Sequence, residues 1–267
     1  MRFNSVFSRL VMSLILFSCQ ELARDNPLDP KNPDSQTSSV VLIEAFVNTV
    51  VTPVQYNIWS LEAGEAFQEE YGSDVILVQY HRDILQDTVL ADDPYNNFSD
   101  HLAEQFDALQ KDYVDFMGGA PRGVPDIFIN GVTDRISGAS SAQTVKDRLK
   151  GAIQNLLNDE NRFLIQPEVT TNAQSLHISC RVVALGNQEA GPLLLKIIFL
   201  KDFGQANFHH VAIGLVSDVR IDKIEAGSYW EKTIGDFTLS EESSAVAFSL
   251  TDENGLQHYQ SRRVVLQ

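Results

Sequence analysis

The sequence predicts two kinds of fold in one chain, α/β over residues 40–160 and all-β over 161–267. Three observations carry this. Six of the seven residues from Val40 to Phe46 are apolar, with only Glu44 between them; the run is too short for a helix and reads as a buried strand. Stretches with a helical period then alternate with further strands up to residue 160. From Asn161 onward that period is lost, and short strand-like runs between turn residues take its place.

The elements follow in order. After the first strand, Asn48, Thr49 and Thr52 can cap a helix, and Pro53 is tolerated in a first turn because its missing N–H would be unpaired there. Val54, Ile58, Leu61 and Phe67 approximate one helical face that ends at Tyr71-Gly72. Asp74 to His81 is the next buried strand. The polar stretch from Arg82 to Asp100, with Asp92-Asp93-Pro94, reads as a loop or short insertion. Leu102, Phe106, Leu109, Tyr113 and Phe116 recur at helical spacing, with Ser99 as cap and Gly118-Gly119 as stop. The strand Asp126 to Ile129, the turn Asn130-Gly131 and a strand near Thr133 to Ile136 make a hairpin. A last helix starts at Ser140, in a capping box with Gln143, and runs through Val145, Leu149, Ile153 and Leu156.

Eight strands are expected beyond it: Phe163–Thr170, Ser175–Leu185, Leu193–Leu200, His209–Val216, Val219–Ile224, Tyr229–Leu239, Ala245–Thr251 and Gln257–Leu266. Gly186-Asn187, Gly191-Pro192 and Asn254-Gly255 fall between them, the last being the strongest hairpin signal. Strands of this number and spacing suggest an immunoglobulin-like β-sandwich.

The flanking sequence places the chain in a cell. Arg2 and Arg9 lie ahead of an apolar run from Leu10 to Phe17, which is too short to span a bilayer but fits a signal-peptide core. Leu16-Phe17-Ser18-Cys19 resembles a bacterial lipobox, so residues 1–19 are expected to be a lipoprotein signal ending at a lipidated Cys19, with the membrane as a partner through that anchor. Residues 20–39 hold three prolines and a surplus of Asp, Asn, Ser and Thr, the composition of an extended, disordered tether. A formal net charge of −16 argues against nucleic acid as a ligand and serves solubility.

Two motifs carry a family resemblance. Thr49-Val50-Val51-Thr52-Pro53-Val54 resembles the thioredoxin-family pattern T-W-C-G-P-C, with Val50 for tryptophan, Thr52 for glycine, and Val51 and Val54 for the two cysteines. Gly123-Val124-Pro125, leading into a strand, resembles the segment that carries the family's cis-proline. With the lipoprotein leader and the all-β tail, the chain resembles the thioredoxin-fold outer-membrane lipoproteins related to "outer membrane protein twenty-eight", with the cysteine pair lost. The resemblance implies a thioredoxin-like domain over 40–160, a bacterial outer-membrane location facing the periplasm or the surface, and a docking groove at Val50, Val124 and Pro125 for an envelope protein or peptide.

Thiol–disulfide exchange needs a thiolate and a resolving sulfur, and Val51 and Val54 supply neither. A non-catalytic envelope protein is therefore expected, with no cofactor and no metal. A thioredoxin-fold enzyme and a glycan-binding or adhesive lipoprotein are the alternatives. Cys180 shares a strand face with Leu176, Ile178, Val182 and Ala184 and reads as a core residue. His81 with Asp83 is an acid–base candidate without a visible nucleophile. His209-His210 reads as a surface pair on a strand, and Trp59 and Trp230 as packing residues.

Overall fold

The computed structural model describes residues 38–86, 89–96, 100–172, 175–238 and 242–266. Cys19 with its expected leader, the tether up to residue 37, and the cap Ser99 lie outside them. The first half of the chain runs β1 (Val41–Val47), α1 (Val54–Tyr71), β2 (Val75–His81), β3 (Ile84–Gln86), β4 (Val89–Ala91), α2 (Asp100–Met117), β5 (Asp126–Ile129), β6 (Asp134–Ser137) and α3 (Ala142–Leu156). Strand β1 pairs in parallel with β2, from Val41 opposite Val75 to Val47 opposite His81. It pairs antiparallel with β5, where Phe46 faces Asp126.

Side-chain alternation along β1 decides where the helices go. Val41, Ile43, Ala45 and Val47 pack with Leu61 and Phe67 of α1 and Leu149 and Ile153 of α3. Leu42 and Phe46 pack on the other face with Leu102, Phe106 and Tyr113 of α2. Each such full burial stabilises by roughly 1.5–3 kcal/mol. The order β2-β1-β5-β6, with helices on both faces, is a thioredoxin-like arrangement.

Seven strands follow: β7 (Phe163–Asn172), β8 (Ser175–Ala184), β9 (Leu193–Lys201), β10 (Val211–Ile221), β11 (Tyr229–Thr238), β12 (Ala245–Asp252) and β13 (His258–Val265). Two of the expected strands, 209–216 and 219–224, are one, because β10 absorbs a register shift between Val216 and Val219 instead of turning. Four of the seven continue the first sheet, giving the order β13-β12-β9-β10-β2-β1-β5-β6. The join is parallel, with Val211 opposite Gln79, and the Gln79 N–H donates to the His210 carbonyl at 2.9 Å. The other three form a second sheet, β11-β8-β7.

The strands expected to close a separate immunoglobulin-like β-sandwich are thus divided between two sheets, one of them shared with the α/β part. Burial on both faces of β9 is the physical reason. Leu193, Leu195, Ile197 and Phe199 pack against Ile178, Cys180 and Val182 of β8. Ile198 and Leu200 point the other way, into the cluster that holds Phe46 and Phe106. Residues Ser38–Gln267 accordingly form one compact unit.

Two caps differ from expectation. Helix α1 has Pro53 as its N-cap, with no side-chain cap bond. Helix α3 is capped by Ser141, not Ser140: the Thr144 N–H donates to Ser141 Oγ at 3.1 Å, and Gln143 instead donates to Asp147. Among the described residues no helix is long and apolar enough to cross a membrane.

Candidate functional site

The site lies at the C-terminal end of β1, where the chain must turn before α1. Buried Asn48 builds that turn, its Oδ1 accepting from the Val50 N–H at 2.8 Å and the Val51 N–H at 2.7 Å. Its Nδ2 donates to the Arg82 carbonyl at 2.6 Å, and its backbone N–H donates to Asn57 Oδ1. Asn48 thereby ties the ends of β1 and β2 to α1, through its side chain and its backbone N–H. Its amide oxygen mimics a backbone acceptor, the usual use of Asn in a turn.

The turn presents apolar side chains to solvent. Val50 is 47% exposed and Tyr56, stacked on Trp59, is 42% exposed. Thr52 and Pro53 are exposed, and Val51 and Val54 are half-buried. The Val124–Pro125 peptide is cis. Pro125 is buried and immediately precedes Asp126, the partner of Phe46, so the register brings it to the end of β1 from which the Val50 turn departs.

Ion pairs and amide bonds hold the cis-proline segment from below. Fully buried Asp126 accepts from Arg135 Nε and Nη2 at 2.8 and 2.7 Å and from Gln110 Nε2 at 2.9 Å. Burial raises the Asp126 pKa, and the Arg135 contacts offset this only in part. Arg135 also donates to the Ala120 and Pro121 carbonyls, and Gln110 to that of Gly123. Arg82 donates to Gln110 and Asp107, and Arg122 to Asp107.

The insertion between β2 and α2 is fastened to the same turn through Asp93. Asp93 and His81 are both fully buried, 3.0 Å apart from Nδ1 to Oδ1. Asp93 also accepts from the Thr49 N–H at 2.6 Å, the Thr49 hydroxyl at 3.2 Å and the Tyr95 N–H at 3.0 Å. Burial would raise its pKa, but the bond and charge of His81 and the two backbone N–H groups outweigh that and hold it below the usual carboxylate range. Asp93, not Asp83, is therefore the partner of His81; Asp83 instead accepts from the Asp93 N–H. Tyr95 and Phe208 stack over the pair at 4.4 Å between ring centres, each within 6 Å of the imidazole. His81 Nε2 has no hydrogen-bond partner among the described residues. The Thr49 hydroxyl donates to Asp93 and not to His81, so the pair orients the turn.

The remaining candidates lie elsewhere. Cys180 is 2% exposed within the cluster between the two sheets, and burial pushes its thiol up to about 12, so it carries no thiolate at neutral pH. His209 and His210 are not a free surface pair. His209 Nδ1 lies 2.9 Å from Asp202, and His210 Nε2 3.4 Å from Glu65 of α1. Trp230 packs against the inter-sheet cluster.

A buried polar network escaped the sequence reading. Glu44 accepts from Tyr80 Oη at 3.2 Å and Tyr113 Oη at 3.0 Å, and Lys196 Nζ, from β9, donates to Tyr113 Oη at 3.0 Å. Burial raises the Glu44 pKa, the charge of Lys196 offsetting it in part, and burial lowers that of Lys196. The available signal was a single charge inside each of two apolar runs, VVLIEAF and LLLKIIFL.

No family model and no curated protein matches this chain. Solved structures do. HBP35 of Porphyromonas gingivalis superposes with a TM-score of 0.62 at 15% identity, over 86% of this chain and 76% of that one. A structural-genomics protein of Agrobacterium tumefaciens gives 0.55 at 14% identity, over 86% of this chain and 96% of that one. A thioredoxin-family thiol:disulfide interchange protein from Chlorobium tepidum gives 0.28 at 14% identity, over 43% of this chain and 80% of that one. The first two structures share the fold of this chain over most of its length, and the strand order β2-β1-β5-β6 with helices on both faces gives its first half a thioredoxin-like arrangement.

Proposed function

We propose that this chain is a non-catalytic, lipid-anchored protein of the bacterial cell envelope that docks an extended polypeptide at the turn Val50–Val54 beside Pro125. One observation carries the reading: exposed Val50 with the half-buried Val51 and Val54 forms an apolar turn at the sheet end that holds the cis Val124–Pro125 peptide. Among the described residues no hydrogen bond engages the backbone of Val124, which leaves an N–H and a carbonyl for a strand-like peptide. A rigid turn suits docking, since little ordering entropy is lost on binding. The valines carry no sulfur, so peptide held there meets no redox chemistry.

The test is a photo-reactive residue at position 50 of the full chain, exposed to an array of extended peptides. A defined subset is expected to cross-link, with at least tenfold loss in Val54→Asp. Equal labelling of every peptide, or no effect of Val54→Asp, overturns the docking reading. Anchoring is tested separately, by incorporation of labelled fatty acid that disappears in Cys19→Ala; label that persists in that variant sinks it.

A further inference from the structure

Away from the docking turn, a cleft of about 230 Å3 separates α2 from β9 and β10 beneath the β12–β13 turn. Ala108 of α2, Leu194 of β9 and Leu215 of β10 give it an apolar side, Asp112, Ser217 and Asn254 a polar one, and Lys196 lies in its lining. An apolar protein cavity of about 150 Å3 takes a benzene molecule, so this one has room for an aromatic ring bearing a short substituent. The position, at a junction between two packed halves, is a common one for ligand sites.

Lys196 sets the chemistry. It is 3% exposed, and its Nζ donates to Tyr113 Oη at 3.0 Å and to the Gly255 carbonyl at 2.5 Å. An ammonium has three N–H donors, and among the described residues the third has no acceptor. The bond to the Gly255 carbonyl ties the ammonium to the β12–β13 turn. Charge then selects among acceptors. Glu44, Asp252 and Asp112 all act on Lys196, and Asp112 lines the cleft itself. An added anion would meet the Asp112 carboxylate in the cleft wall, whereas an uncharged oxygen accepts the free N–H without that repulsion.

We infer that the cleft binds a small uncharged carbonyl compound with an apolar body, about the size of benzamide, whose oxygen accepts a hydrogen bond from Lys196. The site is independent of the docking turn and of its occupant.

Ligand-detected NMR titration of the full chain with benzamide, benzoate and toluene tests this. Benzamide is expected to bind in the millimolar range, as suits so few atoms, with benzoate and toluene each at least tenfold weaker. Lys196→Met should weaken benzamide roughly 10- to 100-fold, the worth of a hydrogen bond from a charged donor. Ala108→Trp, at an exposed helix position, fills the cleft and should abolish binding with the thermal midpoint unchanged; should it misfold, Gln105→Trp fills the same space. Absence of benzamide binding, benzoate binding as tightly as benzamide, or undiminished binding in the filled variant overturns the proposal.

Discussion

Strands β8 and β9 lie in facing sheets and were both legible as strands, yet they are buried in opposite ways. Along β8 exposure alternates: Leu176, Ile178, Cys180 and Val182 are buried, while His177 and Arg181 between them are exposed. Along β9 all but the half-buried Leu194 and Lys201 are buried, because one face meets β8 and the other meets the core under α2. Alternation marks a strand with one wet face; its absence marks a strand between two cores. The run LLLKIIFL therefore signalled that the all-β half does not stand apart.

The largest test of this contrast is severance. A fragment of residues 161–267 would bare Ile198, Leu200, Ala212 and Ala247 and the edge of β10 that β2 covers. It is expected to aggregate or to lack a cooperative melt, whereas the chain from residue 38 melts as one unit; a sharp, reversible melt of the fragment alone would break the comparison.

Next comes a single side chain in the shared core. Ile198→Ala on β9 should cost about 2–5 kcal/mol in denaturant unfolding, the range for truncating a buried isoleucine.

Acid sharpens the same point, because the sheet extension buries neutral histidines. Burial, helped by the nearby charge of Lys196, lowers the pKa of His258 on β13 from 6.5 to about 3. Burial, helped by Arg263, lowers that of His210 to about 4. An unfolded chain takes up these protons near pH 6.5 and the folded chain does not, so stability is full above that pH and declines as pH falls toward 4. Each histidine then costs roughly 1.4 kcal/mol per pH unit. His258→Gln should reduce the slope of unfolding free energy against pH by about one proton between pH 6 and 4; an unchanged slope would contradict the assignment.

The smallest effect is expected on the wet face of β8. Arg181 pairs with Glu231 at 2.8 Å, but both are exposed. Arg181→Ala should shift stability by no more than about 1 kcal/mol, against several for Ile198→Ala.

The turn after β1 shows which contacts are local in sequence and which are not. Thr49 to Val54 and Gly123 to Pro125 are local motifs, legible because a turn, a helix start and a proline each impose short-range steric rules. Asp93 was read only as part of a loop, since its partners His81 and Thr49 are 12 and 44 residues away. Glu44, Tyr113 and Lys196 were unreadable as a group for the same reason: they come from β1, α2 and β9.

Sequence alone determined the kind and order of the main elements, the apolar valines at positions 51 and 54, and the core placement of Cys180, all of which follow from side-chain period and residue chemistry. Tertiary structure decided that eight strands share one sheet, that Asp93 clasps His81, and that a lysine lies beside a cleft. Pairing between distant strands depends on which surfaces exclude water together, and no local pattern records the partner.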